Sequence, residues 1–256
     1  MALEYGCNGL WGVLTPQANT TVEPELWALL PPGHAMINAR LVSEEPTIEE
    51  RLVDYTTRFE ETTDRFANAP FTCIAAACTG ASYLIGPQRE AEIVSGMQAR
   101  FHIPFLTAAL ATVAALRALG ARRIALLTPY PETLNRPCIP YWESFGLEVV
   151  TKAGPALEEA AFHPIYAMAG SGVLAAYRQL SDTDADAVLM LGTGMATLGP
   201  ILTGLDEGLM PAVSCNLALA WAASQARTWD DLDAGTFDAW QQAHHWRDRF
   251  EAMSQG

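Results

Sequence analysis

The chain of 256 residues is half hydrophobic, so it can bury a sizeable core as one large domain or as two close lobes. Its 29 Asp and Glu outnumber 15 Lys and Arg, and the net charge of −14 argues against nucleic acid and anionic membranes as partners, because no basic stripe is present to hold phosphates. The sequence shows no signal-peptide pattern and no apolar run of the roughly 20 residues that span a membrane, which predicts a cytoplasmic protein.

The predicted elements alternate between strand and helix along the chain. Short apolar runs predict strands at residues 10–14, 71–77, 104–106, 123–127, 147–150, 187–191 and 211–213. Amphipathic or capped segments predict helices at residues 47–66, 90–101, 108–119, 137–145, 172–180 and 216–226, with a further helix in 229–256. This alternation predicts parallel sheets that are covered by helices on both faces.

Three short signatures occur twice in the same order. Residues 12–16 are echoed by 125–129, residues 78–81 by 192–195 and residues 102–107 by 209–214. The first two signatures keep their separation, since Thr15 and Thr79 are 64 residues apart and Thr128 and Thr193 are 65 apart. A duplicated half-fold predicts a pseudo-two-fold axis with a cleft where equivalent loops face each other. We expect lobes at 1–119 and 120–215, with C-terminal helices in 216–256 packing back on the body.

Cys78 is the main candidate for chemistry, because it follows a predicted strand and precedes a helical segment. Ligands of parallel α/β sheets bind beyond the carboxyl ends of the strands. Backbone N–H groups at such a turn stabilise an anion, so we expect a lowered thiol pKa and a group that acts as nucleophile or proton donor. Thr79, Gly80 and Ser82 would supply donors for a substrate carboxylate. The alternative is a buried structural cysteine.

Further candidates follow the other strands. The amide of Asn19 could bind a carboxylate or cap a helix, and the hydroxyl of Tyr130 could reach the same carboxylate or simply pack. Thr193 is a further candidate for binding the substrate carboxylate. It lies in the turn that is equivalent to the one after Cys78, but there the cysteine position is Gly192. Cys215 is either a displaced second thiol or a small buried residue.

Metal binding is not predicted. The five cysteines are an odd number without CxxC spacing, and the five histidines form no HExxH pattern. We therefore expect free thiols in a reducing compartment, no metal and no thiolate cluster.

In combination, several motifs resemble the group of maleate isomerases and arylmalonate decarboxylases, which belongs to the aspartate/glutamate racemase superfamily. They are Pro16-x-x-Asn19-Thr20-Thr21-x-Glu23, Cys78-Thr79, Thr128-Pro129-Tyr130 with Asn135, and Asp186-Ala187-Val188-Leu189 before a Gly-rich turn. The resemblance covers roughly residues 10–225. It implies an α/β fold of two pseudo-symmetric Rossmann-like lobes, each a parallel four-stranded sheet flanked by helices, with the active site in the interlobe cleft and no cofactor.

The resemblance also implies roles for individual residues. Asn19 and Tyr130 match carboxylate-binding residues, Thr79 matches a contributor to the oxyanion pocket, and Cys78 matches the nucleophilic cysteine of the isomerase. His163 lies near the place of a carboxylate-binding asparagine of the isomerase, with a surface histidine as the alternative. The chain departs from the group at Gly192, where both enzymes carry the other cysteine, and this departure breaks the thiol pair that two-sided chemistry needs.

A one-thiol site favours a cofactor-independent decarboxylase of a malonate-type, arylmalonate-like acid, in which one cysteine protonates an enediolate from one face. Because the resembled decarboxylase has its cysteine on the opposite lobe, inverted product chirality is expected. The first alternative is a maleate-type cis–trans isomerase or racemase with Cys78 as nucleophile, and the second is a non-catalytic carboxylate-binding protein. The expected partner is a small carboxylate or dicarboxylate; the oligomeric state is open, with a homodimer as one candidate.

Overall fold

The structure is a computed structural model that describes residues 3–154 and 164–254. Its strands are β1 (Gly9–Pro16), β2 (His34–Leu41), β3 (Cys73–Ala76), β4 (Phe105–Thr107), β5 (Arg123–Leu127), β6 (Glu148–Ala153), β7 (Ala187–Met190) and β8 (Ala212–Ser214). Its helices are α1 (Val22–Leu29), α2 (Ile48–Thr57), α3 (Phe59–Asp64), α4 (Thr79–Phe101), α5 (Ala108–Ala118), α6 (Glu132–Glu143), α7 (Gly170–Ser181), α8 (Leu198–Glu207), α9 (Cys215–Gln225), α10 (Phe237–Gln241) and α11 (Arg247–Ser254). Short 3-10 turns cover Pro164–Ala167 and Ala234–Thr236.

The strands form two parallel four-stranded sheets with the same topology. Their orders are β2-β1-β3-β4 and β6-β5-β7-β8, which confirms the predicted fold class of two pseudo-symmetric α/β lobes. The equivalence extends to single hydrogen bonds. The N–H of Ala77 donates to Leu14 O at 2.9 Å, and the N–H of Leu191 donates to Leu127 O at 2.8 Å. Cys78 and Gly192 therefore leave the two sheets at matching points.

The central strands were predictable because they are apolar and buried. Every residue of β1, β3 and β7 is buried, as expected for parallel strands covered on both faces. The edge strand β2 has five half-buried residues, two buried residues and one exposed residue, and its sequence carries no clean strand pattern. For this reason the sequence analysis missed β2. It also missed the helices α1 and α8.

Three predicted helix boundaries were wrong. The expected helix at 47–66 divides at Arg58, whose N–H donates to Tyr55 O, while the hydroxyls of Thr56 and Thr57 bond to carbonyls in the preceding turn. The helix expected from residue 90 begins at Thr79 and is kinked at Gly86, where φ is +75°. The helix expected to open at Pro137 begins five residues earlier, at Glu132.

The two lobes and the C-terminal segment share one interior. Helix α5 of the first lobe packs along α9, whose residues from Cys215 to Ala223 are all buried. The rings of Trp221 and Phe237 meet edge to face at 4.9 Å, which ties the C-terminal segment to α9. Within the described ranges, no helix combines the length and the apolar composition that crossing a membrane requires.

Candidate active site

Cys78 lies at the junction between β3 and α4. It is the N-cap residue of α4, with extended backbone (φ −148°, ψ 107°), and its side chain is only 5% exposed. The N–H groups of Gly80 and Ala81 point at its sulfur and lower its pKa, as the sequence predicted. The net effect is nevertheless the reverse of the expectation. Burial is the larger cause and raises the pKa of Cys78 to about 11.

This correction changes the chemistry that Cys78 can perform. A thiol with a pKa of about 11 is protonated at neutral pH, and it therefore starts as an acid. The two N–H groups still matter, because they stabilise the thiolate that remains once the proton has left. The site thus suits proton donation better than nucleophilic addition.

Alkylation measures this pKa directly. In a Cys7→Ser background, which removes the exposed thiol, we expect the alkylation rate at Cys78 to rise about tenfold per pH unit between pH 8 and 10, since only the thiolate reacts. Iodoacetamide labelling followed by peptide mass spectrometry would follow the rate. A rate that levels off below pH 8 would show that the pKa of Cys78 is lowered. It would contradict the conclusion that burial affects this pKa more than the N–H groups do.

Cys78 opens into a cavity at the seam between the lobes. The cavity leaves about 40 Å³ of water-accessible space, roughly the room of three water molecules. The described residues that line it are Pro16, Asn19, Ile48, Leu52, Tyr55, Cys78, Thr79, Gly80, Tyr130, Ile165, Tyr166, Thr193 and Gly194. No Lys, Arg, His, Asp or Glu occurs among these lining residues, and Cys78 is their one thiol.

Asn19 forms the helix cap that the sequence offered as one of its two roles. Its Oδ1 accepts hydrogen bonds from the N–H groups of Thr21 at 2.9 Å and Val22 at 3.1 Å, which caps the start of α1. Its Nδ2 donates to Thr193 Oγ1 at 3.2 Å. Because an amide nitrogen carries two hydrogens, one remains for a ligand in the cavity. The guanidinium of Arg40 fixes the loop by donating to Asn19 O at 2.9 Å.

Thr193 connects the lobes at the floor of the cavity. Its hydroxyl donates to Ala77 O at 2.8 Å, directly before Cys78 in the chain, and accepts the bond from Asn19. The neighbouring carbonyl of Gly194 accepts a bond from the Thr21 hydroxyl at 2.8 Å. The turn after β7 is thereby tied to both loops of the first lobe that line the cavity.

Tyr130 fills the space that a side chain at Gly192 would need. A Cβ on Gly192 would lie 2.9 Å from Tyr130 Oη and 3.2 Å from Tyr130 Cζ, and the φ of Gly192 is +83°. The phenol also makes a 3.2 Å hydrogen bond with Thr79 Oγ1. Burial raises the pKa of Tyr130 well above its usual value, so the hydroxyl stays protonated.

Some candidates lie away from the cavity. The Ser82 hydroxyl donates to the buried carboxylate of Glu90 at 2.7 Å and does not line the cavity, which corrects the expectation that it binds a substrate carboxylate. Cys215 is fully buried, donates its S–H to Met190 O and lies behind Thr79 rather than in the lining. This burial matches the second alternative for Cys215. His163 lies outside the described residues.

The sequence analysis missed the part of the cavity lining that α2 and the segment around Ile165 supply. Ile48, Leu52 and Tyr55 of α2 lie on one side of the helix at spacings of four and three residues, and they face Cys78 together with Ile165 and Tyr166. The helical periodicity of α2 was visible, but the face it covers depends on the packing of two distant segments. Among the described residues, no group of three or more His, Cys, Asp or Glu is arranged to hold a metal ion.

The fold and the site together define an α/β enzyme of two equivalent lobes, with a cavity at their seam that Cys78 lines. The sequence model of the family described as arylmalonate decarboxylase matches residues 11–237, and the chain therefore belongs to this family.

Similar proteins carry two enzyme names. The maleate isomerase of Nocardia farcinica is 28% identical over 220 residues, covering 82% of this chain and 87% of that enzyme. A mutant of the Nocardia enzyme, solved with a covalently bound succinylcysteine intermediate, has a TM-score of 0.73 at 26% identity over 88% of this chain and 93% of that one. A double mutant of arylmalonate decarboxylase, solved in the liganded form, has a TM-score of 0.70 at 22% identity over 85% and 91%, a likeness of fold.

Proposed function

We propose that this protein decarboxylates a malonate-type acid with an apolar substituent, through an enediolate that Cys78 protonates. The observation that carries the proposal is the lining of the cavity, which contains one thiol. It also contains the hydrogen-bonding side chains of Asn19, Thr79 and Tyr130, named the polar end, and the apolar side chains of Ile48, Leu52 and Ile165, named the apolar wall. It needs no group beyond its hydrogen-bond donors to stabilise the carbanion.

The polar end would hold the carboxylate that stays. The amide of Asn19 and the hydroxyls of Thr79 and Tyr130 belong to residues of the lining, and none of these groups is charged at neutral pH. As negative charge moves onto this carboxylate in the enediolate, the same donors bind it more strongly. Transition-state stabilisation by hydrogen bonds is thus built into the arrangement.

The apolar wall would take the substituent and the carboxylate that leaves. The lining also holds the hydroxyls of Tyr55 and Tyr166. A carboxylate held against the side chains of Ile48, Leu52 and Ile165 instead finds no hydrogen-bond donor there and is favoured to leave as neutral CO₂. Because the cavity has room for only a few waters, the side chains of this wall must shift to admit the substrate.

A single cysteine is sufficient to supply the proton that the reaction needs. The bond between the α-carbon and the leaving carboxylate breaks, and its electron pair forms the enediolate. The S–H of Cys78 then gives its proton to the α-carbon. The thiolate that remains accepts hydrogen bonds from Gly80 and Ala81 and regains a proton from water.

Maleate isomerisation is the second candidate function, and the Nocardia relative supports it. Its solved mutant holds a succinylcysteine, in which a cysteine has added to the substrate. In this chain Cys78 would be the nucleophile. One observation weighs against it: burial keeps the thiol of Cys78 protonated.

One experiment separates the candidates. The protein is incubated in heavy water with phenylmalonate and, separately, with maleate, and proton NMR follows the products. We expect phenylacetate carrying one deuterium at the α-carbon and no fumarate. Fumarate without phenylacetate would make the protein an isomerase, while binding without any turnover would make it a carboxylate-binding protein.

A further inference from the structure

A buried carboxyl group lies close to the turn after β7, which contains Thr193. Glu25 belongs to α1 of the first lobe and is 5% exposed. It accepts hydrogen bonds from the N–H of Thr197, from the N–H of Leu198 at 3.1 Å and from the Thr197 hydroxyl at 3.0 Å. These groups form the start of α8 in the second lobe, where the helix dipole favours a negative charge. Glu25 therefore joins the lobes by hydrogen bonds to the start of α8, and burial raises the pKa of its carboxyl group.

Asn216 connects Glu25 to Thr193, which lines the candidate active site. Its Nδ2 donates to Glu25 Oε2 at 2.7 Å and to Thr193 O at 3.1 Å, so both amide hydrogens are used. Its Oδ1 is buried and has no hydrogen-bond partner. Turning the amide round would place Oδ1 against two acceptors, the Glu25 carboxylate and the Thr193 carbonyl. The side chain keeps an unpaired acceptor because the carboxylate and the carbonyl both require a donor.

Thr193 in turn is hydrogen-bonded to both loops of the first lobe that line the cavity. It lines the cavity, donates to the carbonyl directly before Cys78 and accepts the bond from Asn19, which lines the cavity as well. A shift of the Thr193 carbonyl therefore moves two groups that face the substrate. When groups that position a substrate are displaced by about 1 Å, the catalytic rate can fall on the order of a hundredfold.

We propose that Glu25, acting through the amide of Asn216, is a positioning residue that holds the Thr193 turn in the geometry required for turnover. The inference rests on the proposed function for its kinetic readout, but the holding of the turn is a separate physical property. The Glu25→Gln substitution tests it, because the glutamine either turns an N–H toward the Asn216 amide or gives up acceptors at the start of α8.

The kinetic test is a double-mutant cycle in the full chain. For Glu25→Gln and for Asn216→Leu, which is matched in volume, we expect kcat with phenylmalonate to fall at least tenfold and KM to change less. The double variant should be no slower than the slower single variant, because both substitutions break one link. Losses that multiply, or unchanged kcat in the single variants, would overturn the inference.

Glu90→Gln is the matched control. Glu90 is 1% exposed and accepts bonds from Ser82, Thr107 and Tyr141, but it has no bond to the Thr193 turn. We expect this variant to lower the Tm while kcat stays within twofold of wild type. An equal loss of kcat in the control would reduce the effect of Glu25 to general destabilisation and overturn the inference.

Amide hydrogen exchange keeps the test independent of the reaction. In Glu25→Gln and in Asn216→Leu, the peptide spanning 190–199 should exchange at least tenfold faster than in wild type, and in Glu90→Gln it should not. Unchanged exchange would overturn the inference, even if the protein decarboxylates phenylmalonate. Faster exchange in a protein without decarboxylase activity would overturn the proposed function alone. If Glu25→Gln does not fold, Asn216→Leu carries both readouts.

Discussion

Replacing Cys78 by alanine should lower kcat for phenylmalonate about 10²- to 10⁴-fold, the usual contribution of a positioned proton donor. Binding of the product carboxylate should survive, because Asn19, Thr79 and Tyr130 remain in place. Steady-state kinetics would give kcat, and calorimetric titration with phenylacetate would give Kd. Cys78→Ser should also lose most of its turnover, since a serine hydroxyl is a much weaker acid than a thiol.

Cys73→Ala provides the control for this result. Cys73 is fully buried in β3, five residues before Cys78, and its S–H donates to Ala223 O on the side of the strand away from the lining residues. We expect it to reduce the free energy of unfolding and to leave kcat unchanged. A Cys78→Ala enzyme that keeps most of its kcat would remove the thiol from the mechanism.

Restoring a side chain at Gly192 should damage the site. Gly192→Ala places a Cβ 2.9 Å from Tyr130 Oη in a residue whose φ is +83°, so we expect the free energy of unfolding to fall by about 1–3 kcal/mol. The displaced phenol should also weaken phenylacetate binding several-fold. Chemical denaturation and calorimetry measure the two effects. Gly192→Cys should behave in the same way and should not yield a working second thiol.

Gly146→Ala separates backbone strain from the contact with Tyr130. Its φ is +82°, nearly that of Gly192, but a Cβ there meets nothing within 4 Å. It should therefore destabilise the protein through its backbone alone and leave phenylacetate affinity unchanged. If both variants bind phenylacetate as wild type does, the Tyr130 phenol does not hold the carboxylate.

The sequence predicted those parts of the fold that rest on local pattern. The continuous apolar runs of β1, β3 and β7 are buried on both faces, and the paired signatures reflect two sheets of identical order. The edge strand β2 was missed, because an edge strand has neither continuous apolar character nor strict alternation. The same paired signatures predicted the cleft between the lobes, and the resemblance to known enzymes implied the active site there.

Within the site, position was easier to predict than environment. The placement of Cys78 before a helix is a local property, and the N–H groups of Gly80 and Ala81 follow from it. The pKa depends as well on how deeply other segments bury the sulfur, and burial outweighed the helix. The same limit applies to Ser82, whose hydroxyl turned to Glu90, a residue of the same helix beyond the kink at Gly86.

The stereochemistry of protonation tests the account most directly. The protein is incubated with the prochiral acid methylphenylmalonate in heavy water, and the product is analysed by chiral chromatography and mass spectrometry beside the product of arylmalonate decarboxylase. Delivery of the proton by Cys78 alone predicts a single enantiomer with one deuterium, opposite in configuration to that of arylmalonate decarboxylase. Racemic product, or the same enantiomer, would contradict it.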